Sequence, residues 1–571
     1  MAQEPLPASP SLPSETRQWV PVWASGVLLV VIVFLAYLPA LRGGFVWDDD
    51  AWTTKLIRVL RDTSGLRSIW LEPKTMQQYY PLSGTTFWVD YQLWEFRTLP
   101  YHVENLLLHA LAALLFWRSL RSLRVPGAGM ASAVFALHPM MVESAAWITE
   151  RKNVLSLCLC FGSFLAFLRF RCGTELSRSS EHLAQGAGTR HRPTRNALFY
   201  WMALLMFVGA MFAKTSVCTM PAATLLLIWF RHGALRWRED VAPTIPFFAV
   251  ALALGAVTAW LEKTHVGAQG ADYALTFAQR GLIAGRAFWF YLGKLLWPAN
   301  LCFVYPRWQP DATDWRQWLY PVAALGLLFT LWQKRMQLGR GPATALLFFA
   351  GTLAPLLGFV NVYFMRYSFV CDHWSYLPSL GPIALACAGV SRLIERLQPQ
   401  PWKKFALGGT LLLTLFALTR QRAAMYADLE TLWRTTIAEN PGSWVAHNNL
   451  GNTLFRHRKI AEAMSHFQRA IELEPNLAEA HTSLGVALAS EGRIDEAIAQ
   501  FKQAIRAAPD YAEAYYDLGL ALNRTGETDQ ANHLFREAIR LKPDFSAAKA
   551  SLSSALARCS TVIIVKTQKH H

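Results

Sequence analysis

The sequence is poor in charged residues and lacks paired cysteines. Asp, Glu, Lys and Arg make up 16% of its 571 residues, whereas they make up about 25% of an average soluble domain. The eight cysteines include no CxxC pair, and Cys158 and Cys160 lie inside an apolar run. These absences argue against an ordinary soluble enzyme, a zinc ribbon and a disulfide framework.

Apolar residues are correspondingly abundant, at 53%, with 23 Trp and 33 Phe. From about residue 20 to residue 420 they form repeated runs of transmembrane length. The first run follows about twenty polar, Pro-rich residues, and no small-residue cleavage motif comes after it, which predicts an uncleaved first span. The candidate spans are 20–40, 103–120, 129–147, 153–170, 197–213, 216–231, 243–261, 317–333, 342–361, 377–395 and 403–420.

Basic residues predict the sidedness of these spans. The net charge is +16, but Lys and Arg lie mostly in short clusters between apolar runs, as in cytoplasmic loops, so we expect no nucleic-acid partner. The clusters place the N-terminus inside and the loop 42–101 outside. The clusters 334–340 and 392–404 are both cytoplasmic only if the further apolar run 281–297 lies in the interface or re-enters the membrane. This predicts eleven spans, with the C-terminal part on the same outer side as the loop 42–101.

The C-terminal part contains an internal repeat of 34 residues. Pro441, Pro475, Pro509 and Pro543 are 34 residues apart. The same step separates three Leu-Gly pairs and a set of small residues: Leu450-Gly451, Leu484-Gly485 and Leu518-Gly519, and Ala446, Ala480, Ala514 and Ala548. This period is typical of the tetratricopeptide repeat, a helical pair that buries its apolar face by stacking on its neighbours. Such arrays hold extended peptides or protein partners, so we expect a binding module close to the membrane surface.

These patterns predict an all-α chain: a polytopic membrane helical bundle of about eleven spans followed by a tetratricopeptide-repeat (TPR) α-solenoid. The solenoid is expected to comprise a leading half-repeat, three full repeats over about 443–543 and a capping helix at 545–557. The predicted domains are a cytoplasmic tail (1–19), a membrane domain (20–422), a TPR domain (423–558) and a C-terminal tail (559–571).

Two outer stretches concentrate ionisable residues. Asp48, Asp49 and Asp50 follow the first span in GGFVWDDDAW, and an N-cap for a helix starting near residue 51 is the alternative role for Asp50. The stretch HPMMVESAAWITERKN holds His138, Glu143, Glu150, Arg151 and Lys152. Ionisable groups at membrane depth usually mark a functional site or a buried pair, and a solvated interfacial turn is the alternative.

Further polar residues lie at suggestive spacings. In YHVENLLLHALAALL, His102, Asn105 and His109 share one helical stripe, which is explained equally by hydrogen bonding between helices or by a site. Other polar groups lie at predicted outer span ends: Lys214 in MFAKTS, and Asp372, His373 and Tyr376 in YSFVCDHWSYLP.

These motifs together carry a family resemblance over nearly the whole chain. GGFVWDDDAW, YYPLSGTTFWVDYQLW, YHVENLLLHALAALL, HPMMVESAAWITERKNVLS and CDHWSYLPS, followed by the repeats, resemble the transmembrane and tetratricopeptide-repeat glycosyltransferases, which are O-mannosyltransferase-like proteins of the GT-C fold. Two positions depart from the family pattern. Thr215 follows Lys214 where relatives often have an acidic residue, and His373-Trp374 follow Asp372 where many relatives have Arg-Tyr.

The resemblance implies transfer of a mannose-like sugar from a polyprenyl-phosphate carrier to a hydroxyl of a protein acceptor held by the TPR groove. Asp48 or Asp49 would act as the base, with inversion at the anomeric carbon. The carrier phosphate and donor would be bound by a second set of residues, supported by His102, Asn105 and His109. That set is His138, Glu143, Arg151, Lys214, Asp372, His373 and Tyr376.

Several alternatives remain open at this point. No cofactor is expected with certainty, and a divalent cation, Mg²⁺ or Mn²⁺, is possible because paired carboxylates can bind one. The alternative functions are a lipid-linked polysaccharide ligase or polymerase and a non-catalytic membrane-anchored TPR scaffold. We expect a bacterial inner-membrane protein with its active loop and repeats on the periplasmic side, or alternatively an endoplasmic reticulum protein with both on the lumenal side.

Overall fold

The computed structural model describes residues 22–53, 56–183 and 193–556, and every regular element in these ranges is helical. The predicted all-α class is therefore confirmed. The tails predicted at 1–19 and 559–571 lie outside the described residues.

The predicted membrane domain consists of thirteen longer helices and several short ones within the described ranges. Short helices at Asp49–Trp52, Ile57–Arg61, Thr63–Leu71 and Val142–Ala146 lie in connecting segments. The longer helices are α1 (Val22–Ala36), α2 (Pro81–Trp94), α3 (Thr98–Ser122), α4 (Ala128–Leu137), α5 (Arg151–Leu183), α6 (Pro193–Ala213), α7 (Met220–His232), α8 (Ile245–Leu261), α9 (Phe277–Leu296), α10 (Trp315–Gln333), α11 (Arg340–Leu353), α12 (Leu380–Leu397) and α13 (Pro401–Ala423).

Among the described residues, three helical segments are long and apolar enough to cross a membrane. They are Thr98–Ser122, Ile148–Cys172 and Trp237–Val266, and shorter apolar helices cover Trp23–Ala36, Ala128–Leu137 and Ala197–Ala213. By length and composition these segments support a membrane protein. The predicted number of eleven spans is not confirmed by this criterion.

Proline ends two predicted spans early. The span predicted at 129–147 is an α-helix only as far as Leu137, because Pro139 follows and the chain continues as short helical turns. The span predicted at 342–361 ends at Leu353 for the same reason, since Pro355 begins a different turn. Both breaks bring irregular backbone and polar side chains to one end of the bundle.

Helix α9, which contains the doubtful run 281–297, contacts the segment between α11 and α12 with both of its halves. Its 20 residues make it about 30 Å long. At its start, Phe277 packs on Phe359 with ring centroids 5.9 Å apart. Near its end, the Tyr291 hydroxyl donates to the carbonyl of Cys371 at 3.0 Å. The single connecting segment between α11 and α12 therefore contacts both halves of α9.

The C-terminal part is a stack of helical hairpins in which each repeat packs a glycine against a phenylalanine. A Cβ added at Gly451, Gly485 or Gly519 would come within 2.5–2.7 Å of the ring of Phe467, Phe501 or Phe535. Only glycine allows the two helices of a repeat to approach this closely. The helices are α14 (Leu429–Glu439), α15 (Trp444–Arg456), α16 (Ile460–Leu473), α17 (Ala478–Ser490), α18 (Ile494–Ala507), α19 (Ala512–Thr525) and α20 (Thr528–Leu541), followed by helical residues 546–556.

The leading half-repeat, α14, docks directly on the membrane domain. Trp433 is 1% exposed and packs its ring 5.4 Å from Trp47 and 5.7 Å from Phe303, measured between centroids. The Asn440 side chain donates to the Val304 carbonyl at 3.0 Å. The solenoid therefore starts at the same end of the bundle as the segment 43–52.

Candidate active site

Asp49 holds the acidic segment in place. It is fully buried; one carboxylate oxygen accepts from the Val46 amide and the other from the Thr149 amide, both at 2.8 Å. Burial raises the pKa of Asp49 to about 8. Because both of its oxygens accept backbone hydrogen bonds, Asp49 ties the segment 43–52 to the start of α5.

Asp48, in contrast, faces a cavity of about 850 Å³. Its Oδ1 accepts from the Thr149 hydroxyl at 2.9 Å. Burial raises the pKa of Asp48, and the positive charge of Lys152 opposes that rise. Trp47, immediately before it, adopts a left-handed φ of 45° and stacks on Trp147 with centroids 6.0 Å apart. The aromatic packing of Trp47 overcomes this backbone strain and directs Asp48 into the cavity.

Two lysines and a glutamate form the polar floor of the cavity. Lys152 Nζ lies 2.9 Å from Glu150 Oε1, and Lys214 Nζ lies 3.1 Å from Glu150 Oε2. All three side chains are almost fully buried and line the cavity with Asp48. Glu150 therefore keeps two ammonium groups side by side, where an anionic ligand can contact both.

His373 lies beside these lysines, and Glu143 orients its ring. Its Nδ1 is 2.7 Å from Glu143 Oε1, and its Nε2 is 3.9 Å from Glu150 Oε1. Glu143 is fully buried, and its Oε2 has no hydrogen-bond partner among the described residues. The Asn153 side chain donates to the His373 carbonyl at 3.1 Å. Glu143 thus fixes the ring of His373 without reaching the cavity itself.

One wall of the cavity is apolar. It is formed largely by α8 and by the turn at Pro355 and Leu356. Leu252 of α8 lines the cavity and is nevertheless 77% exposed. The cavity is therefore open along a helix whose outer face is apolar, a surface suited to a hydrocarbon chain.

Other residues predicted for the site lie away from the cavity. Arg151 is fully buried in an ion pair with Asp90; it also lies 3.1 Å from Glu104 and donates to Asn105 Oδ1 at 2.9 Å. His138 contacts the Leu295 carbonyl at 3.1 Å. These contacts assign both residues to interhelical packing in this structure.

Asp372 and Tyr376 are likewise held by other protein groups. Asp372 accepts from the Tyr305 hydroxyl at 2.7 Å and from Arg422 at 3.2 Å. The Tyr376 hydroxyl lies 2.7 Å from His109 Nδ1. Both the carboxylate and the phenol are buried, and neither lines the cavity.

The predicted supporting stripe on α3 contacts backbone carbonyls. The His102 ring lies 3.3 Å from the Gly43 carbonyl, and Asn105 donates to the Trp147 carbonyl at 3.1 Å. His109 Nε2 lies 3.1 Å from the Ala136 carbonyl. The stripe joins α3 to the segments that carry Asp48 and Glu150.

Of the cations that the sequence predicts for the site, Lys214 lines the cavity and Arg151 does not, whereas its neighbour Lys152 does. Adjacent helical residues point in directions about 100° apart, so ERK at 150–152 contains both a buried structural cation and a cavity cation. Gln78, Tyr80 and Tyr367 also line the cavity, and no sequence pattern singled them out individually. Among the described residues, no group of three His, Cys, Asp or Glu side chains lies together in a way that would hold a metal ion, so the divalent cation stays a prediction.

Comparison with known proteins gives similarity over most of the chain. The family model for the tetratricopeptide repeat matches residues 417–478, 448–512 and 482–544. Protein O-mannosyl-transferase F38B6.6 of Caenorhabditis elegans is 24% identical over 486 residues, covering 79% of this chain and 63% of that protein. Human protein O-mannosyl-transferase TMTC1 is 26% identical over 508 residues, covering 80% of this chain and 55% of that protein.

Among solved structures, the crystal structure of MamA is 26% identical and covers 25% of this chain and 82% of that one, with a TM-score of 0.22. The chain spans less than two thirds of the length of the two O-mannosyl-transferases. The predicted resemblance to the transmembrane and tetratricopeptide-repeat O-mannosyltransferases, and the repeats themselves, are confirmed.

Proposed function

We propose that this protein is an integral-membrane glycosyltransferase that moves a mannose-like sugar from a polyprenyl-phosphate carrier to a hydroxyl of a protein acceptor. The observation that carries the proposal is the cavity in which the Asp48 carboxylate faces Lys152, Lys214 and His373 beside an apolar wall. Buried charges are costly at membrane depth, and a scaffold that only anchors the repeats does not require them.

Asp48 is the proposed base. The acceptor hydroxyl attacks the anomeric carbon while its proton passes to the Asp48 carboxylate. Burial supports this role, because it raises the pKa of Asp48 and so makes the carboxylate a stronger base. Asp49 is the less suitable candidate, since both of its oxygens already accept backbone hydrogen bonds.

Lys152 and Lys214, with His373, are the proposed phosphate ligands. As the new bond forms, the bond between the anomeric carbon and the phosphate oxygen breaks, and its electron pair stays on the phosphate. Two ammonium groups linked by Glu150 stabilise that developing charge. Attack from the Asp48 side, opposite the departing phosphate, inverts the anomeric configuration.

The isoprenoid chain is proposed to leave along α8. Phe248, Ala251 and Leu252 line the cavity from this helix. Because α8 belongs to one of the three segments able to cross a membrane, a chain lying against it remains in hydrocarbon while the phosphate reaches the lysines.

The proposed topology has eleven spans, α1, α3 to α8 and α10 to α13, with α9 in the interface. The contacts of both halves of α9 with one connecting segment support its interfacial position. The cavity and the solenoid then share the outer side, which is the periplasm in a bacterium or the lumen of the endoplasmic reticulum in a eukaryote.

The acceptor is proposed to reach the cavity from the solenoid. Tyr367 lines the cavity and also packs on Trp444 at the start of α15, with ring centroids 5.4 Å apart. Arg366 lies over the same Trp444 ring at 5.4 Å. The first full repeat therefore begins beside the cavity at Tyr367, where a peptide held by the repeats would reach it.

The test compares two aspartates of the acidic segment, Asp48 and Asp50, in the full chain. Membranes carrying wild type, Asp48→Asn or Asp50→Asn are supplied with radiolabelled polyprenyl-phosphate mannose, and label in outer-face protein is measured. Loss of a general base costs about 100-fold or more, so we expect Asp48→Asn to abolish transfer and Asp50→Asn, which does not line the cavity, to retain it.

Either of two results would contradict the proposal. Equal transfer by wild type and Asp48→Asn would remove Asp48 as the base. Absence of transfer by wild type with mannose, glucose, hexosamine and arabinose carriers would favour the ligase or scaffold alternatives. Assays of wild type with EDTA and with added Mg²⁺ or Mn²⁺ test the predicted cation separately.

A further inference from the structure

A second, apolar cavity of about 480 Å³ lies at the opposite end of the bundle from Asp48. Its lining includes Phe161 of α5, Leu227 of α7 and Phe348 of α11. Helix α11 runs for about 20 Å from Arg340, at the mouth of this cavity, to Leu353, next to the turn that lines the first cavity.

Two guanidinium groups are the charged part of this lining. Arg340 is half-buried and donates to the Trp229 carbonyl at 3.0 Å, and Arg392 is exposed. In the described parts of the chain, neither side chain forms an ion pair with a carboxylate. The cavity thus combines an apolar interior with positive charge at its mouth.

The size of this space requires an occupant. Packed protein interiors contain few voids larger than a water molecule, and a void of several hundred Å³ lined by apolar groups does not hold ordered water. In a membrane bundle, the molecules available to fill it are lipids. A planar guanidinium is also the side chain best suited to bind a phosphate through two hydrogen bonds.

The second cavity shares no lining residue with the first. The space between them measures only about 10 Å³ and is lined by polar groups that include Asn153, Ser156 and Lys214. That volume is about enough for one water molecule, so a hydrocarbon chain cannot pass. A lipid in the second cavity is therefore separate from any carrier held at Lys214.

We propose that this cavity binds an anionic glycerophospholipid from the leaflet opposite the Asp48 face, with an acyl chain inside and its phosphate on Arg340 and Arg392. Basic pockets between membrane helices on the cytoplasmic side bind anionic headgroups in this manner. The binding does not depend on the proposed transfer reaction.

The experiment measures lipid binding to the purified full chain by native mass spectrometry. Dioleoyl phosphatidylglycerol, dioleoyl phosphatidylcholine and a polyprenyl phosphate are the probes. We expect wild type to prefer phosphatidylglycerol to phosphatidylcholine by about tenfold or more, which is about 1.4 kcal/mol. The double variant Arg340→Gln/Arg392→Gln is expected to bind both phospholipids equally.

Two further variants separate this site from the general basic surface. Arg335→Gln is the matched control, because Arg335 packs over Trp332 at 4.5 Å and does not line the cavity. Gly389→Leu fills the cavity without removing charge, since Gly389 lines it and a Cβ there meets nothing within 4 Å. We expect Arg335→Gln to keep the preference and Gly389→Leu to lose it.

Three outcomes would overturn the proposal. One is an undiminished preference in the double variant, and another is an undiminished preference in Gly389→Leu. The third is displacement of phosphatidylglycerol by equimolar polyprenyl phosphate, which would assign the cavity to the carrier lipid instead.

Discussion

Replacing Trp433 tests whether the solenoid helps to build the site in the membrane domain. Trp433 belongs to the leading half-repeat, is 1% exposed, and contacts Trp47 and Phe303. Trp47 directly precedes Asp48 and has a left-handed φ of 45°. Removal of Trp433 therefore takes away one of the contacts that hold a strained residue next to the proposed base.

The expected size of the effect follows from burial. Truncating a fully buried Trp or Phe to Ala costs about 3–5 kcal/mol, and each 1.4 kcal/mol is a factor of about ten in an equilibrium. Part of that cost falls on the docking of α14, so we expect Trp433→Ala to raise the population of locally opened junction by about 100-fold or more.

Hydrogen exchange of the full chain, followed by mass spectrometry, measures this opening. We expect faster exchange both in α14 and in residues 44–53 of the membrane domain, together with reduced sugar transfer. Trp402→Ala is the matched control, because Trp402 is 63% exposed at the start of α13. Faster exchange in α14 with unchanged exchange in residues 44–53 would refute the coupling between the solenoid and Asp48.

Two further predictions concern the repeats. Gly485→Ala places a Cβ within 2.5 Å of the Phe501 ring, so we expect about 1–3 kcal/mol of destabilisation, measured as a lower thermal midpoint of the full chain. Ser490 is exposed on the same helix, so Ser490→Ala should leave the midpoint unchanged. Burial, together with the charge of Glu513, raises the pKa of Asp517 to about 7. The folded chain therefore favours the protonated carboxyl. The stability that this carboxyl contributes is fully present below about pH 4 and is lost as the pH rises through 7. Asp517→Asn should accordingly stabilise the chain more at pH 8 than at pH 5, and an equal shift in midpoint at the two pH values would contradict the burial of this carboxyl.

Local patterns in the sequence were sufficient for the repeats and for most helices. The prolines from Pro441 to Pro543 recur every 34 residues, and each repeat of this length packs only on its neighbours in the chain. The stacking of the solenoid therefore follows directly from the repeat. The apolar runs likewise predicted helices, although Pro139 and Pro355 ended two of them earlier than the runs alone implied. The run 281–297 is helical too, and only its contacts with the segment between α11 and α12 indicate how it lies.

The membership of the candidate site depended on tertiary structure. Asp48 and Asp49 are adjacent and chemically identical, yet they have different surroundings. The amide of Thr149, a residue far away in the chain, donates a hydrogen bond to Asp49, whereas Asp48 accepts from the Thr149 hydroxyl and lines the cavity. Arg151 and Lys152 are adjacent and both positively charged, yet an ion pair with Asp90 on α2 holds only Arg151 inside the bundle.

The sequence by itself thus determined the classes of structure: apolar helices, a repeat solenoid and acidic and basic residues concentrated at one end of the bundle. These depend on periodicity and composition, which are properties of short stretches of chain. The tertiary structure decided which of two adjacent residues enters the cavity, because the direction of the Asp49 and Arg151 side chains is selected by partners 100 and 61 positions away, which no local pattern encodes.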